Sequence, residues 1–343
     1  IDPAIDFPFL EYRLPPKTLD GMDPAQLVTL AATRAALQDA GIEPRSSMLE
    51  QGVTIIGASG VDGFAHTTAY LRRHRYFGEL RTRLEAAGVD RAVIEAIDAE
   101  LGPSMMQRGH GWNPGTAAVG NVPSSISNRV AQVFGVHGYN MTVDGACASS
   151  FAAIDVACQA LCAGDARVVI TGGCDLGTNP GIYVGFAQME GLSITGHSNP
   201  FDHTADGLVI GEGAGIVVLK RLEDAVADGD RIKAVIRGIG SSSDGAGQAI
   251  YAPSVTGRSR SFEAALRRSR TAPHEIQFLE AHATSTIVGD AVEYDAINET
   301  YGRDPERSAP LLLGSVKHQI GHLKAAAGVA GLIKTVLAMQ NAT

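Results

Sequence analysis

The sequence predicts an α/β protein, on three observations. Short apolar runs rich in Val and Ile alternate along the chain with segments of helical period. Glycine is abundant, at 40 of 343 residues, while aromatics make up only 6%, which suits close packing of backbone on backbone. The pattern of strand, short turn and small-residue helix occurs twice, in YNMTVDGACASSFAAIDVAC and in PLLLGSVKHQIGHLKAAAGVAGLIK. The repeat reads either as an internal duplication or as a chance likeness of two α/β units.

The elements follow in order. Residues 1–22 are proline-rich and irregular. Asp23–Ala40 is helical by the period of Leu27, Leu30, Ala31, Ala35 and Leu37, and ends at Gly41. Val53–Ile56 reads as a short buried strand. From His66 to Met106 the chain turns polar and helical, a surface insertion whose charges form a solvated face. A helix over 123–134 precedes the strand Tyr139–Val143. The helix that opens at Cys147 runs to Gly164, and the strand Arg167–Thr171 follows. Ile210–Leu219 and Ile232–Gly238 read as strands around the charged turn RLEDAVADGD. A helix over 258–269 leads to the strand Ile276–Glu280. Helix 290–298, strand Leu311–Val316 and a last helix over 323–339 complete the series. No long flexible linker divides the chain.

Composition narrows the function. The net charge of −9 disfavours a general nucleic-acid or membrane-surface role. No run of 18 apolar residues occurs, so no spanning helix is expected. Four cysteines in a chain of this length do not make a disulfide scaffold, and a reducing cytoplasm fits them better. Cys158 and Cys162 stand four apart on one helix. They could pair as metal ligands, but no second pair lies nearby, and small buried hydrophobes are the plainer reading. The chain begins at Ile1 rather than Met, so the native start is expected to be missing and the lack of a signal peptide carries little weight.

Three stretches carry candidate chemistry. In VDGACASS, Cys147 stands at a helix start behind the small Gly145-Ala146 step. Partial positive charge and free N–H groups there favour a thiolate and should lower the thiol pKa. Ser149 and Ser150 can cap or bond locally. In LEAHATSTIVGDAVEYDAI, His282 follows a strand end, where α/β proteins keep their chemistry. Thr284, Ser285 and Thr286 suit a polar linear ligand, or an ordinary loop. Glu293 lies on the next helix. In GSVKHQIGHLKAAAG, His322 opens a helix whose positive end should hold it neutral, able to donate to a developing oxyanion. Lys317 could pair with Glu293 or orient a histidine. Residue chemistry alone does not separate His318 from His322. GEGAG at 211–215 has the spacing of a nucleotide loop but runs into a strand, so close backbone packing explains it better. Met105, Met106 and Trp112 could line an acyl pocket, or pack in the core or a dimer contact.

Together these stretches resemble the β-ketoacyl synthase family of the thiolase superfamily. The likeness runs from MDPAQLVTLAATRAALQDAGI at 22–42, through NPFDHTADGLVIGEGAGIVVLKRLEDA at 199–225, to GHLKAAAGVAGLIK at 321–334. It implies a thiolase-like five-layer α-β-α-β-α fold of two pseudo-symmetric halves, 1–222 with the nucleophile and 223–343. It implies an acyltransferase that joins a malonyl-type thioester to an acyl chain by decarboxylative condensation. Cys147 would carry the acyl chain, with its N–H as half of an oxyanion hole. His282 and His322 would serve decarboxylation and condensation, and Lys317 with Glu293 would organise the site. Thr284 and Thr286 match the family's pantetheine threonines. No metal or redox cofactor is implied. The substrates arrive on the phosphopantetheine of an acyl carrier protein, and a homodimer or a ketosynthase-like heterodimer is expected. GWNPGTAAVGN at 111–121, DGACASS at 144–150 and SSSDGAGQAIYAP at 241–253 look most like polyunsaturated-fatty-acid, enediyne and iterative polyketide systems.

The chain also departs from the family. Ala283 and Ser285 stand where glycines are usual, His318-Gln319 where Ser-Asn is common, and Leu323 where Thr is usual. The family's first strand and closing glycine-rich segment have no counterpart. Two alternatives stand beside the condensing enzyme. One is a non-catalytic partner subunit, which usually lacks the nucleophile retained here. The other is a thiolase, which uses a second cysteine as base.

Overall fold

The computed structural model describes residues 7–19, 22–59, 78–106, 120, 122–178, 180–246, 249 and 252–341. Four strands form the first sheet: β1 (Gly52–Gly57), β2 (Asn140–Val143), β3 (Val168–Asp175) and β4 (Gly213–Leu219). Their order is β2-β1-β3-β4. β1 runs parallel to β2 and β3, with Thr54 opposite Asn140 on one side and Ile170 on the other. β4 closes the edge antiparallel, with Ile216 opposite Gly172. Every residue of β1 and β3 is buried, as expected of parallel strands covered on both faces.

Helix α1 (Pro24–Asp39) starts where Asp23 Oδ1 accepts the Ala25 N–H at 2.8 Å and Pro24 fits the first turn. It packs with α2 (Ser124–Phe134) on one face of the sheet, where Leu30, Leu37, Ile56, Ile126, Val130, Phe134 and Ile170 share one core. On the other face lies α3 (Ser149–Ala163), with Ala153 and Ala157 against Val53, Ile55 and Val169. The segment Ala146–Ala163 is long and apolar enough to cross a membrane, with mean hydropathy 1.5. Its packing against β1 and β3 makes it a core helix.

Two further strands form a second sheet among the described residues. β5 (Phe278–Glu280) pairs in parallel with β6 (Leu312–Gly314). α4 (Val255–Ser269) and α5 (Ile287–Ile297) pack on each other, and α6 (Ala327–Asn341) packs on α3, β4 and β5. Small residues let α3 and α6 approach until the Val329 N–H donates to Ser150 Oγ at 3.0 Å. Both helices follow a 3-10 turn, Ala146–Ala148 before α3 and Lys324–Ala326 before α6. The first residue of each turn has positive φ, +52° at Ala146 and +47° at Lys324. The two units seen in the sequence thus share the conformation of the turn that opens each helix, while the second carries an extra helical turn, Lys317–Ile320, after its strand.

Two expectations are corrected. Residues 232–238 form no strand; no described segment pairs with them, and Ile232, Val235 and Ile236 are exposed. The chain lies instead along α4, where Arg268 Nη1 donates to the Ile239 carbonyl at 2.8 Å. A Cβ on Gly240 would strike the α4 backbone at Ser261. β-propensity makes a strand only where a ladder partner stands alongside. The charged turn RLEDAVADGD begins with a short helix, Leu222–Ala227, favoured by Glu223 and Asp224 in its first turn. The helices Gly78–Ala86 and Arg91–Met106 fit the polar insertion, and the former buries no residue. The rest of that insertion before Gly78, Trp112, and the side chains of Met105 and Met106 lie outside the described residues.

Candidate active site

The turn that presents Cys147 is built from local hydrogen bonds. Asp144 Oδ1 accepts the Ala146 N–H at 2.9 Å. Ser149 Oγ accepts the Gly145 N–H at 2.9 Å and donates to the Ala146 carbonyl at 2.7 Å. Cys147 thus rides on the 3-10 turn one step ahead of α3 and is half-buried. The structure overturns the expected low thiol pKa. Burial raises it above the ordinary cysteine value, and Asp175 adds to that, against lowering by Lys317 and Lys324. Desolvation acts on the whole thiolate charge, whereas a helix end offers only about half a charge.

His322 is held by main chain. Its N–H donates to the Val209 carbonyl at 2.7 Å, and its carbonyl accepts the Gly211 N–H at 3.0 Å. Its Nδ1 accepts the Lys324 N–H at 3.1 Å, which leaves the ring proton on Nε2. It is 3% exposed, and burial, with Lys317 and Lys324, pushes its pKa down to about 3. Neutrality was expected from a helix end; burial and the two lysines supply it.

His282 follows β5. Its N–H and that of Ala283 donate to the two oxygens of Glu293, at 2.8 and 2.6 Å. Its ring stands edge to face with that of His322, centroids 5.4 Å apart. Burial, then Lys317 and His322, hold it well below the usual imidazole range. Lys317 is 5% exposed, and burial lowers its pKa against the pull of Glu293 and Glu280. Its charge reaches Cys147, His282 and His322 alike. The turn bearing Cys147 packs on the turn that follows His322. The five candidate residues therefore converge.

The loop after His282 explains its residue types. Ala283 and Ser285 take φ of +34° and +64°, conformations that suit glycine. Ser285 is tied down: its Oγ accepts the Asn199 N–H at 2.9 Å, and its N–H donates to Asp290 at 3.1 Å. Thr284 and Thr286 join their hydroxyls at 3.0 Å and are half-buried. His318 separates from His322 at once. It is exposed, and its Nδ1 lies 2.7 Å from the Ser198 carbonyl oxygen. GEGAG at 211–215 is the seat of the His322 turn; a Cβ on Gly211 would collide with the Ile320 carbonyl oxygen.

The other cysteines divide. Cys174 is buried, with its thiol pushed up to about 12 by burial. Cys158 is half-buried and Cys162 exposed, so the reading of both as buried hydrophobes is corrected; their shared helix face meets water at its end. No group of three or more His, Cys, Asp or Glu able to hold a metal occurs among the described residues.

Two family models match in succession: the N-terminal domain of beta-ketoacyl synthase over residues 2–225, and its C-terminal domain over 233–343. The chain belongs to the β-ketoacyl synthase family. This ketosynthase is 37% identical over 338 residues to a phenolphthiocerol/phthiocerol polyketide synthase of Mycobacterium tuberculosis, covering 98% of the chain and 16% of that protein. It is 35% identical over 343 residues to the polyketide synthase GfsA of Streptomyces halstedii, covering all of the chain and 4% of that protein. The chain therefore spans a small part of these curated relatives. The ketosynthase from module 6 of the bacillaene synthase of Bacillus subtilis 168 superposes with a TM-score of 0.76 at 27% identity, over 96% of the chain and 51% of that structure. The oxazolomycin ketosynthase domain OzmH KS7 of Streptomyces albus JA3453 gives 0.78 at 28%, over 96% and 52%. The thiolase-like α/β fold is thereby shown. The stretch at 111–121 that suggested a narrower subgroup lies outside the described residues apart from Gly120.

Sequence reasoning missed four residues around the site. Arg258 Nη1 lies 3.5 Å from Glu293 Oε1. Asp290 accepts the Phe201 N–H at 2.8 Å as well as that of Ser285. Lys324 and Asp175 form a buried ion pair at 3.0 Å. Only Lys324 carried a signal, a charge at the head of the small-residue run 325–327.

Proposed function

We propose that this ketosynthase catalyses decarboxylative Claisen condensation at Cys147. The observation that carries the reading is the meeting of two neutral imidazoles, His282 and His322, beside the turn of a reachable thiol. Cys147 Sγ attacks an acyl thioester. The carbonyl–sulfur bond breaks, and the released pantetheine thiolate takes the proton that the cysteine gives up. A malonyl-type thioester then loses CO₂. The bond to its carboxylate breaks, and the electron pair becomes an enolate on the thioester oxygen. Donors aimed at that oxygen stabilise the developing charge, on the scale of about 3 kcal/mol each. His322 is set for this by its tautomer, with the proton on Nε2. The enolate carbon attacks the acyl-cysteine carbonyl, and collapse expels Cys147 as thiolate and frees a β-ketoacyl thioester. Electrons balance at every step, and nothing is oxidised or reduced.

Lys317 supplies the field shared by the three reacting groups, and Glu293 anchors the backbone that carries His282. Thr284 and Thr286 are assigned to the pantetheine arm, and the halves to 1–222 and 223–343. The gap between the two family models, from 225 to 233, supports that division. The partner is an acyl carrier protein. A second copy is expected along β2, an edge strand exposing Met141. A reducing cytoplasm suits the free thiols. A thiolase is disfavoured because Cys174 lies on the α1 face of the sheet, away from the turn of Cys147. Intact-mass measurement after incubation with acyl-carrier thioesters tests the proposal. An adduct on wild-type protein, absent in Cys147→Ala, is expected. CO₂ release without an adduct, or neither, overturns it.

A further inference from the structure

Asp175 and Lys324 are 6% and 7% exposed, and they come from opposite halves of the fold. Lys324 Nζ lies 3.0 Å from Asp175 Oδ1 and donates to the Gly211 carbonyl at 2.9 Å. Asp175 is itself held. Its Oδ1 accepts the Gly177 N–H at 3.0 Å, and its Oδ2 accepts Ser59 Oγ and the Ala325 N–H, each at 3.3 Å. Lys324 sits at φ +47°, a backbone state that an L side chain adopts only when its surroundings impose it. From that same residue comes the N–H that holds His322 Nδ1. The side chain is thus pinned at one end to β3 and the 211 loop, while its own amide sets the imidazole.

We propose that the Asp175–Lys324 ion pair is the positioning device of His322, clamping the strained Lys324 backbone so that its N–H holds the imidazole in one tautomer and one orientation. Neither residue touches the substrate in this account. The pair acts through His322, as partners behind a functional histidine do elsewhere. This rests on the condensing reading only for its effect on rate; the tautomer itself needs no substrate. Toward Cys147 the two act in opposite senses, Asp175 raising the thiol and Lys324 lowering it.

The test uses the full chain labelled with ¹⁵N-histidine, and the His322 signal is assigned by its loss in His322→Asn. Wild-type protein should show a single Nε2–H tautomer at this residue. Lys324→Met leaves a buried unpaired carboxylate and could unfold, so the double variant Asp175→Asn/Lys324→Met, which removes both charges, stands beside it. In the double variant the His322 signal should become a mixture of tautomers. Acyl loading of Cys147 should persist while condensation slows by roughly 10- to 100-fold, the cost of about 1 Å of misplacement. Lys324→Arg should keep the single tautomer. A folded double variant with an unchanged His322 signal overturns the proposal, and so does an equal fall in loading and condensation. Failure of wild-type protein to condense would sink the catalytic reading alone, since the tautomer measurement stands without it.

Discussion

The rings of His282 and His322 stand edge to face, centroids 5.4 Å apart with 85° between their planes, although 39 residues of chain lie between them. Two imidazoles this close beside Lys317 cannot both carry charge at low cost. Both are held below the usual imidazole range, first by burial and then by the neighbouring cations.

The pH dependence of decarboxylation follows. A site that works with neutral imidazoles should keep its rate as the pH falls through 6.5. CO₂ release by Cys147→Gln protein, which lacks the nucleophilic thiol, should be flat from pH 8 to about 5. Half-loss of rate near pH 6.5 would contradict this.

Stability should fall with acid for the same reason. The unfolded chain protonates His322 near 6.5 and the folded chain near 3, so the unfolded state binds more protons between those values. The stabilising contribution is whole above pH 6.5 and is lost as pH falls toward 3. The loss amounts to about 3 kcal/mol by pH 4, from this histidine alone. Denaturant midpoints for wild type and His322→Asn should converge on acidification, with the wild type losing more.

Cys147 should titrate above a free thiol. Its alkylation rate should still be rising with pH beyond about 8.5, the ordinary cysteine value. Lys317→Met removes the leading cation near the sulfur and should move the curve to higher pH. A plateau below pH 8 would show that the helix end outweighs burial.

Ala283→Gly should stabilise the protein. The alanine is 0% exposed at φ +34°, where a Cβ costs about 1–2 kcal/mol, against about 0.5–1 kcal/mol for the extra freedom of glycine when unfolded. A gain of about 0.5–1 kcal/mol in thermal or denaturant unfolding is expected. Ser285→Gly should gain less, because it gives up the bond from Asn199.

Glu293→Gln should cost about 2 kcal/mol. One of two amide acceptors is lost, as is the charge opposite Arg258. Loading of Cys147 should survive, because the carboxylate's hydrogen bonds are made to the His282 loop. Loading lost in step with condensation would argue against that division.

Much was legible in the sequence alone: the α/β class, most of the strands and helices, the repeated unit, and the five residues that meet at the site. The elements depend on local pattern, since period, capping and small-residue spacing act within a few turns of chain, whereas the site residues were legible only through the family resemblance, because residue chemistry alone does not separate His318 from His322. Three matters were decided only by the tertiary structure. Residues 232–238 have strand composition but no ladder partner, and pairing is a long-range property. The Cys147 thiol is raised rather than lowered, because desolvation depends on what the fold lays over the sulfur. The seat of His322 is built from Asp175, Gly211 and Lys324. Nothing in sequence joins these three, because an ion pair between residues 149 positions apart exists only once β3 and the turn before α6 have packed.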